Sequence, residues 1–130
     1  MADPYKTHGA FSWNELMTRD VEGAKKFYSG LFGWEYELFA DMEYNVVKVA
    51  GQKEGQGGIM GMPPNVPPGM PPVWNAYVTV DDVDKTAKKA ESLGGKVVVG
   101  PMDIPKVGRF AVIQDPQGAV IVAITYKMEM

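Results

Sequence analysis

The chain has 130 residues, a formal net charge of −3 and no cysteine, and 45% of its residues are hydrophobic. This size and composition are typical of one folded domain, and they exclude a disordered chain, a disulfide framework, a thiolate nucleophile and a cysteine-ligated metal. The acidic balance argues against nucleic acid as a partner.

The location of the protein is suggested by what its sequence lacks. The first residues have no apolar core of the kind found in a signal peptide, and no apolar run is long enough to cross a bilayer. The absence of cysteine suits a reducing compartment. We therefore expect a cytoplasmic protein with no membrane partner.

The first half of the chain has the pattern of a strand, a helix and three further strands. Asp20 stands where a helix N-cap is expected, apolar residues follow it at helical spacing, and Gly33 supplies a helix stop. Three strand-like runs come next, near residues 34–39, 43–50 and 56–61. The pattern predicts a βαβββ repeat over about residues 10–61.

The second half repeats this order after a proline-rich connector, residues 62–73, whose paired prolines disfavour a helix or a central strand. Asp82 is the expected N-cap of a second helix, which stops at Gly94–Gly95. Its strands are expected near residues 96–100, 108–114 and 119–126. The sequence DPQG at 115–118 has the residues that a type I turn prefers. The pattern predicts a second βαβββ repeat over about residues 74–126.

The two repeats are expected to form one domain over residues 1–130. Each repeat has only about 50 to 60 residues, which is too few to bury a comfortable core alone. Pairing the repeats gives them a shared core. The sequence therefore predicts an α+β fold built from tandem βαβββ repeats.

Three stretches of sequence resemble a known family. They are TRDVEGAKKFYSGLFGWE in the first repeat, and VTVDDVDKTAKKAESLGGKVV and DPQGAVIVAI in the second. They resemble the glyoxalase/bleomycin-resistance/extradiol-dioxygenase superfamily, also called vicinal oxygen chelate proteins, and in particular its short glyoxalase-like members. The resemblance covers about Phe11 to Tyr126. It implies a curved mixed-sheet cup with the helices outside, and a homodimer.

The resemblance also implies where a metal ion would bind. Metal-dependent members hold a divalent ion with histidine or glutamine near the start of the first strand and with glutamate in the last strand of a repeat. The matching positions of this chain are occupied by Trp13, Met60, Asn75 and Val122. None of these side chains is a good ligand for a hard divalent ion, so we predict no metal and no cofactor.

The same positions predict a pocket for an organic molecule. Alternate residues of a strand share a face, so Glu15 is expected beside Trp13 and Tyr77 beside Asn75. Aromatic and aliphatic walls with few polar groups describe a pocket for a small apolar or aromatic molecule. The predicted pocket residues are Trp13, Glu15, Met60, Asn75, Tyr77 and Val122.

Three functions stay open from the sequence. The leading interpretation is a metal-independent small-molecule-binding protein. The second is a lyase or isomerase acting on a small carbonyl compound with Glu15 as acid or base, because apolar surroundings would push this carboxyl toward its neutral form. Against that second interpretation, Glu15 could instead pair with Arg19 or Arg109. The third is an interaction protein whose barrel is filled by the predicted pocket side chains.

Two other side chains are candidates for binding. Arg109 could bind an anionic ligand through both guanidinium nitrogens, although a solvated charge at a strand end is the commoner case. His8 is the only histidine, and one histidine cannot build a metal site, so an exposed or dimer-contact position is expected.

Overall fold

A computed structural model describes residues 3–39, 44–62 and 69–127 of the chain. Half of the predicted proline-rich connector, residues 63–68, lies outside these ranges. The elements of the first half are β1 (Phe11–Thr18), α1 (Val21–Phe32), β2 (Glu35–Leu38), β3 (Tyr44–Lys48) and β4 (Gly55–Gly61). Those of the second half are β5 (Val73–Thr79), α2 (Val83–Ser92), β6 (Lys96–Ile104), β7 (Gly108–Gln114) and β8 (Val120–Tyr126). The order βαβββ occurs twice, which confirms the predicted α+β class and its tandem repeat.

The chain divides into two compact bodies. The first body is Trp13–Asn75, and the second body combines the residues up to 12 with those from 76 onward. The division falls inside β1 and inside β5, so neither boundary coincides with the end of a predicted repeat. Within the described ranges, neither helix is long and apolar enough to span a bilayer.

The first body is built from four strands and α1, with strand order β2-β3-β4-β1. β1 runs parallel to β4, while β3 is antiparallel to β2 and to β4. The Asp20 carboxylate accepts a hydrogen bond from the Gly23 N–H at 2.9 Å, and Gly33 ends α1 in the left-handed conformation. The buried core consists of Leu16, Val47 and Ile59, against which Val21, Ala24, Tyr28, Trp34 and Tyr36 pack.

The second body has strand order β5-β8-β7-β6, with β5 parallel to β8 and β7 antiparallel to both of its neighbours. Asp82 caps α2 by accepting from the Lys85 N–H at 3.1 Å. In the predicted turn, the Gly118 N–H donates to the Asp115 carbonyl oxygen at 3.0 Å. The buried core consists of Val80, Val83, Ala111 and Ala123.

β6 is longer than predicted, because it continues past Gly100 and Pro101 to Ile104. The register against β7 shifts between Val97 and Val99 and again between Val99 and Met102, the second shift spanning this pair. β6 is the edge strand of its sheet. Pro101 has no N–H, but on the side of β6 without a neighbouring strand this removes no hydrogen bond between strands.

The segment before β1 packs within the second body. The Gly9 N–H donates to the Thr79 carbonyl oxygen at 2.7 Å, and the Thr79 hydroxyl donates to the Pro4 carbonyl oxygen at 2.6 Å. The Tyr126 hydroxyl lies 2.7 Å from the Ser12 hydroxyl, and burial raises the pKa of Tyr126 to about 12. These contacts tie the start of the described chain to its last strand.

Candidate functional site

One face of the first body carries three of the residues predicted to line a pocket. Trp13 and Glu15 alternate along β1 and therefore share a face. In the parallel ladder, Glu15 pairs with Gly58 and Met17 pairs with Met60, so Met60 belongs to the same face. We call this surface the Trp13 face.

A tyrosine that the sequence did not indicate completes the Trp13 face. Tyr44 pairs with Met60 in the β3–β4 ladder, and its hydroxyl accepts a hydrogen bond from the Trp13 indole N–H at 2.7 Å. Two glycines of β4 make room for these rings. A Cβ on Gly58 would meet the Tyr44 ring, and a Cβ on Gly55 would lie 3.1 Å from the Trp13 ring. The two aromatic side chains thus rest on a glycine-rich strand.

Four of the predicted pocket residues are buried, and they belong to different bodies. Glu15 is 7% exposed on the Trp13 face, and Asn75, the last residue of the first body, is also buried. Tyr77 and Val122 are buried in the second body, where they pair directly in the β5–β8 ladder.

The opposite face of the first body holds a groove that sequence reasoning did not find. Its volume is 520 Å³, and its floor includes Asn14, Val47 and Gly57. The Trp74 indole N–H donates to the Tyr28 hydroxyl at 3.2 Å, which links β5 to α1. We call this the aromatic groove; its lining residues are Asn14, Tyr28, Phe32, Trp34, Val47, Gln56, Gly57 and Trp74.

A smaller cavity of 380 Å³ lies along α2 in the second body. His8 lines it, with Nδ1 accepting a hydrogen bond from the Asp81 N–H at 2.9 Å, and Lys85 and Lys89 also border it. Among the residues with described positions, no three histidine, aspartate or glutamate side chains come together as a metal cluster.

Residues 10–122 match the Glyoxalase/Bleomycin resistance protein/Dioxygenase superfamily. The chain belongs to this superfamily. The match runs from the residue before β1 to the third residue of β8 and confirms the family that the sequence resembles.

Similar proteins include two whose names refer to a function. A putative glyoxylase named CFP32 from Mycobacterium bovis is 41% identical over 117 residues, which cover 87% of this chain and 44% of that protein. The anthracycline biosynthesis protein DnrV from Streptomyces peucetius is 37% identical over 123 residues, which cover 85% of this chain and 45% of that protein. This superfamily member thus spans about half the length of both relatives.

A solved structure agrees with the fold. The methylmalonyl-CoA epimerase from Mycobacterium tuberculosis superimposes with a TM-score of 0.57 and 17% identity, covering 92% of this chain and 89% of the epimerase. At this identity the likeness shows the shared glyoxalase-superfamily fold alone.

Arg109 of this superfamily member already binds two carboxylates. Its Nε and Nη2 donate to the two carboxylate oxygens of Asp84 at 2.9 and 3.0 Å, and its Nη1 donates to Asp103 at 3.2 Å. The hydrogen bond from Arg109 holds the pKa of the Asp84 carboxyl below its usual range. The Arg109 guanidinium is therefore occupied by two carboxylates of the second body and is not available to bind an anionic ligand with both nitrogens.

This pair predicts a pH dependence of stability. Because the folded state lowers the pKa of Asp84, the stabilisation is present above the ordinary carboxyl pKa of about 4 and is lost as the pH falls through the folded value. Asp84→Asn should therefore lower the urea midpoint at pH 6 and have a smaller effect at pH 2.5. The control is Asp103→Asn, which removes one longer contact and should cost less at pH 6. An equal loss for Asp84→Asn at both pH values would contradict the assignment.

Proposed function

We propose that this protein binds a small organic molecule on the Trp13 face without a metal ion. The observation that carries the proposal is the hydrogen bond of 2.7 Å from the Trp13 indole to the Tyr44 hydroxyl. This hydrogen bond holds an aromatic ring at a position where metal-dependent relatives of this fold are expected to place a metal-ligating side chain.

The donor atoms at the four implied ligand positions do not fit a hard divalent ion. The indole nitrogen of Trp13 has no free lone pair and donates its proton to Tyr44. Val122 has no donor atom, and the thioether of Met60 is soft. Only the amide oxygen of Asn75 is a suitable donor, and one neutral oxygen is too few for a protein-bound divalent ion.

The chemistry of the Trp13 face favours a flat apolar ligand. Two aromatic rings and the Met60 thioether offer a polarisable surface, and Glu15 supplies one buried polar group. The relative named for anthracycline biosynthesis supports an aromatic ligand, because anthracyclines contain fused planar rings. The proposal includes a cytoplasmic homodimer, which rests on the absence of cysteine and on the family likeness.

Thermal unfolding of metal-stripped protein tests the proposal. The protein is heated with Mn²⁺, Ni²⁺ or Zn²⁺, and separately with a panel of neutral fused-ring aromatic compounds. A ligand that binds only the folded state adds about 2.7 kcal/mol when its free concentration is 100 times its Kd. We expect aromatic compounds to raise the Tm, Trp13→Leu to reduce this increase, and Phe27→Leu, a change at an exposed position of α1, to leave it unchanged.

Three outcomes would count against the proposal. A Tm increase with a divalent ion that depends on Trp13 face residues would restore metal binding. An increase in Tm with aromatic compounds that Trp13→Leu leaves undiminished would place the ligand elsewhere. No effect from any compound would favour an interaction protein whose interior is filled by its own side chains.

The burial of Glu15 favours a second candidate function, a lyase or isomerase. A carboxylate beside an apolar wall can take a proton from the carbon next to a carbonyl group and return it at another position, without an oxidant or a reductant. Glu15→Gln separates the two candidates. If Glu15→Gln no longer turns over an enolisable carbonyl compound but its Tm still rises with that compound, the protein is an enzyme. If the wild type shows no turnover, binding is left as the function.

A further inference from the structure

The aromatic groove is separate from the Trp13 face within the first body. Trp13 and Asn14 are consecutive in β1, so their side chains point to opposite faces of the strand, and only Asn14 lines the groove. The same alternation separates Gly57, which lines the groove, from Gly58, which underlies Tyr44. A molecule in the groove would not touch the Trp13–Tyr44 pair.

The walls of the groove are four aromatic rings held in fixed orientations. Tyr28 packs edge-on against Trp74 with ring centroids 5.5 Å apart, and Trp34 packs edge-on against Trp74 at 6.0 Å. Phe32 lies 5.1 Å from Trp34. Because these rings contact one another, they are ordered before a ligand arrives, which reduces the entropy that binding would cost. Phe32 and Trp74 are still 58% and 39% exposed, so a ligand would remove considerable aromatic surface from water.

Polar groups in the groove have bonding capacity that the protein does not use. Within residues 3–39, 44–62 and 69–127, the side-chain amides of Asn14 and Gln56 make no hydrogen bond, and neither does the indole N–H of Trp34. These groups can donate to an oxygen atom on a ligand, and the amides can also accept. Among the described residues, the lining contains no carboxylate, lysine or arginine, so none of them offers a counter-charge to a charged ligand.

The groove has the size of a small-molecule site. Its volume of 520 Å³ falls within the range of about 300–1,000 Å³ that is usual for ligand pockets. We propose that the aromatic groove is a binding site for an uncharged planar aromatic molecule that carries a hydroxyl or carbonyl oxygen. The flat rings stack on the aromatic walls, and the oxygen bonds to Asn14, Gln56 or Trp34. This site does not depend on binding at the Trp13 face.

The three tryptophans make the test selective. 1-Naphthol, a neutral planar compound with one hydroxyl, is titrated into ¹⁵N-labelled protein while the three indole N–H signals are followed by NMR. Trp34 and Trp74 line the groove, whereas Trp13 donates to Tyr44 on the other face. We expect the Trp34 and Trp74 signals to shift with saturation. The saturated counterpart decahydro-1-naphthol, which keeps the hydroxyl but is not planar, should cause little change.

Variants of two aromatic residues assign the binding. Trp74→Leu should weaken 1-naphthol binding about threefold to tenfold, the range given by losing one aromatic contact. Phe11→Leu is the matched control, because Phe11 is an exposed aromatic residue of β1 that does not line the groove. A second variant, Asn14→Ala, should reduce the preference for 1-naphthol over 1-methylnaphthalene.

The proposal is overturned by any of three results. The Trp34 and Trp74 signals stay unmoved in the wild type, the Trp34 signal of Trp74→Leu saturates at the same 1-naphthol concentration as in the wild type, or the two signals shift with protein concentration alone, which would make the groove a contact between copies. The Trp13 signal decides a separate matter. Its movement supports binding at the Trp13 face and neither supports nor weakens the groove, so the two proposals fail independently.

Discussion

Ile59→Ala is expected to destabilise the protein by about 2–5 kcal/mol, the range for removing a large aliphatic side chain from a closed core. Ile59 is 0% exposed and packs with Leu16 and Val47 between β4 and α1. The deletion loses buried apolar surface and leaves a cavity that neighbouring strands cannot close, because both are held by backbone ladders. The free energy of unfolding is measured by urea denaturation followed by far-UV circular dichroism.

Two variants calibrate this result. Ile59→Val removes one methylene and should cost about 0.5–1.5 kcal/mol. Leu38→Ala removes a side chain that is 63% exposed on β2 and should change stability by about 0.5 kcal/mol or less. If Ile59→Ala cost no more than Leu38→Ala, the described core of the first body would be wrong.

Gly57→Ala is the second large expected effect, a loss of about 1–3 kcal/mol from overpacking. A Cβ at this position would overlap the backbone carbonyl oxygen of Asn14 in the neighbouring strand β1, and its carbonyl carbon would lie 3.4 Å away. Backbone cannot rotate aside as a side chain can, so β1 and β4 would have to separate locally. The same variant would also push a methyl group into the floor of the aromatic groove.

Gly61→Ala is the matched control, because Gly61 lies in the same strand and an added Cβ would meet no atom of the described residues within 4 Å. It should unfold at nearly the wild-type urea concentration. Equal midpoints for the two alanine variants would show that β1 and β4 do not approach as closely as described.

The local parts of the fold could be predicted because their causes lie close together in the sequence. Asp20 caps α1 through a residue three positions away, and Asp115 accepts from Gly118 within one turn. Composition and spacing carry that information directly. The extension of β6 could not be predicted, because it depends on a place at the sheet edge that only the strand order defines.

The candidate site could be predicted only in part for a similar reason. Alternation along β1 is enough to put Trp13 and Glu15 on one face. The Trp13–Tyr44 bond joins residues 31 positions apart, and the Trp74–Tyr28 bond joins residues 46 positions apart. The first bond depends on the register of β3 and β4, and the second depends on the position of α1. A single sequence specifies neither.

All three tryptophans of the chain, Trp13, Trp34 and Trp74, lie in the first body. Tryptophan emission during denaturation is therefore a report on that body alone, whereas circular dichroism averages over both. If the two curves coincide, the bodies unfold as one cooperative system, and if they separate, each body has its own stability. Because the tryptophan fluorophores lie in one body only, the cooperativity of unfolding between the two bodies can be measured without adding a label.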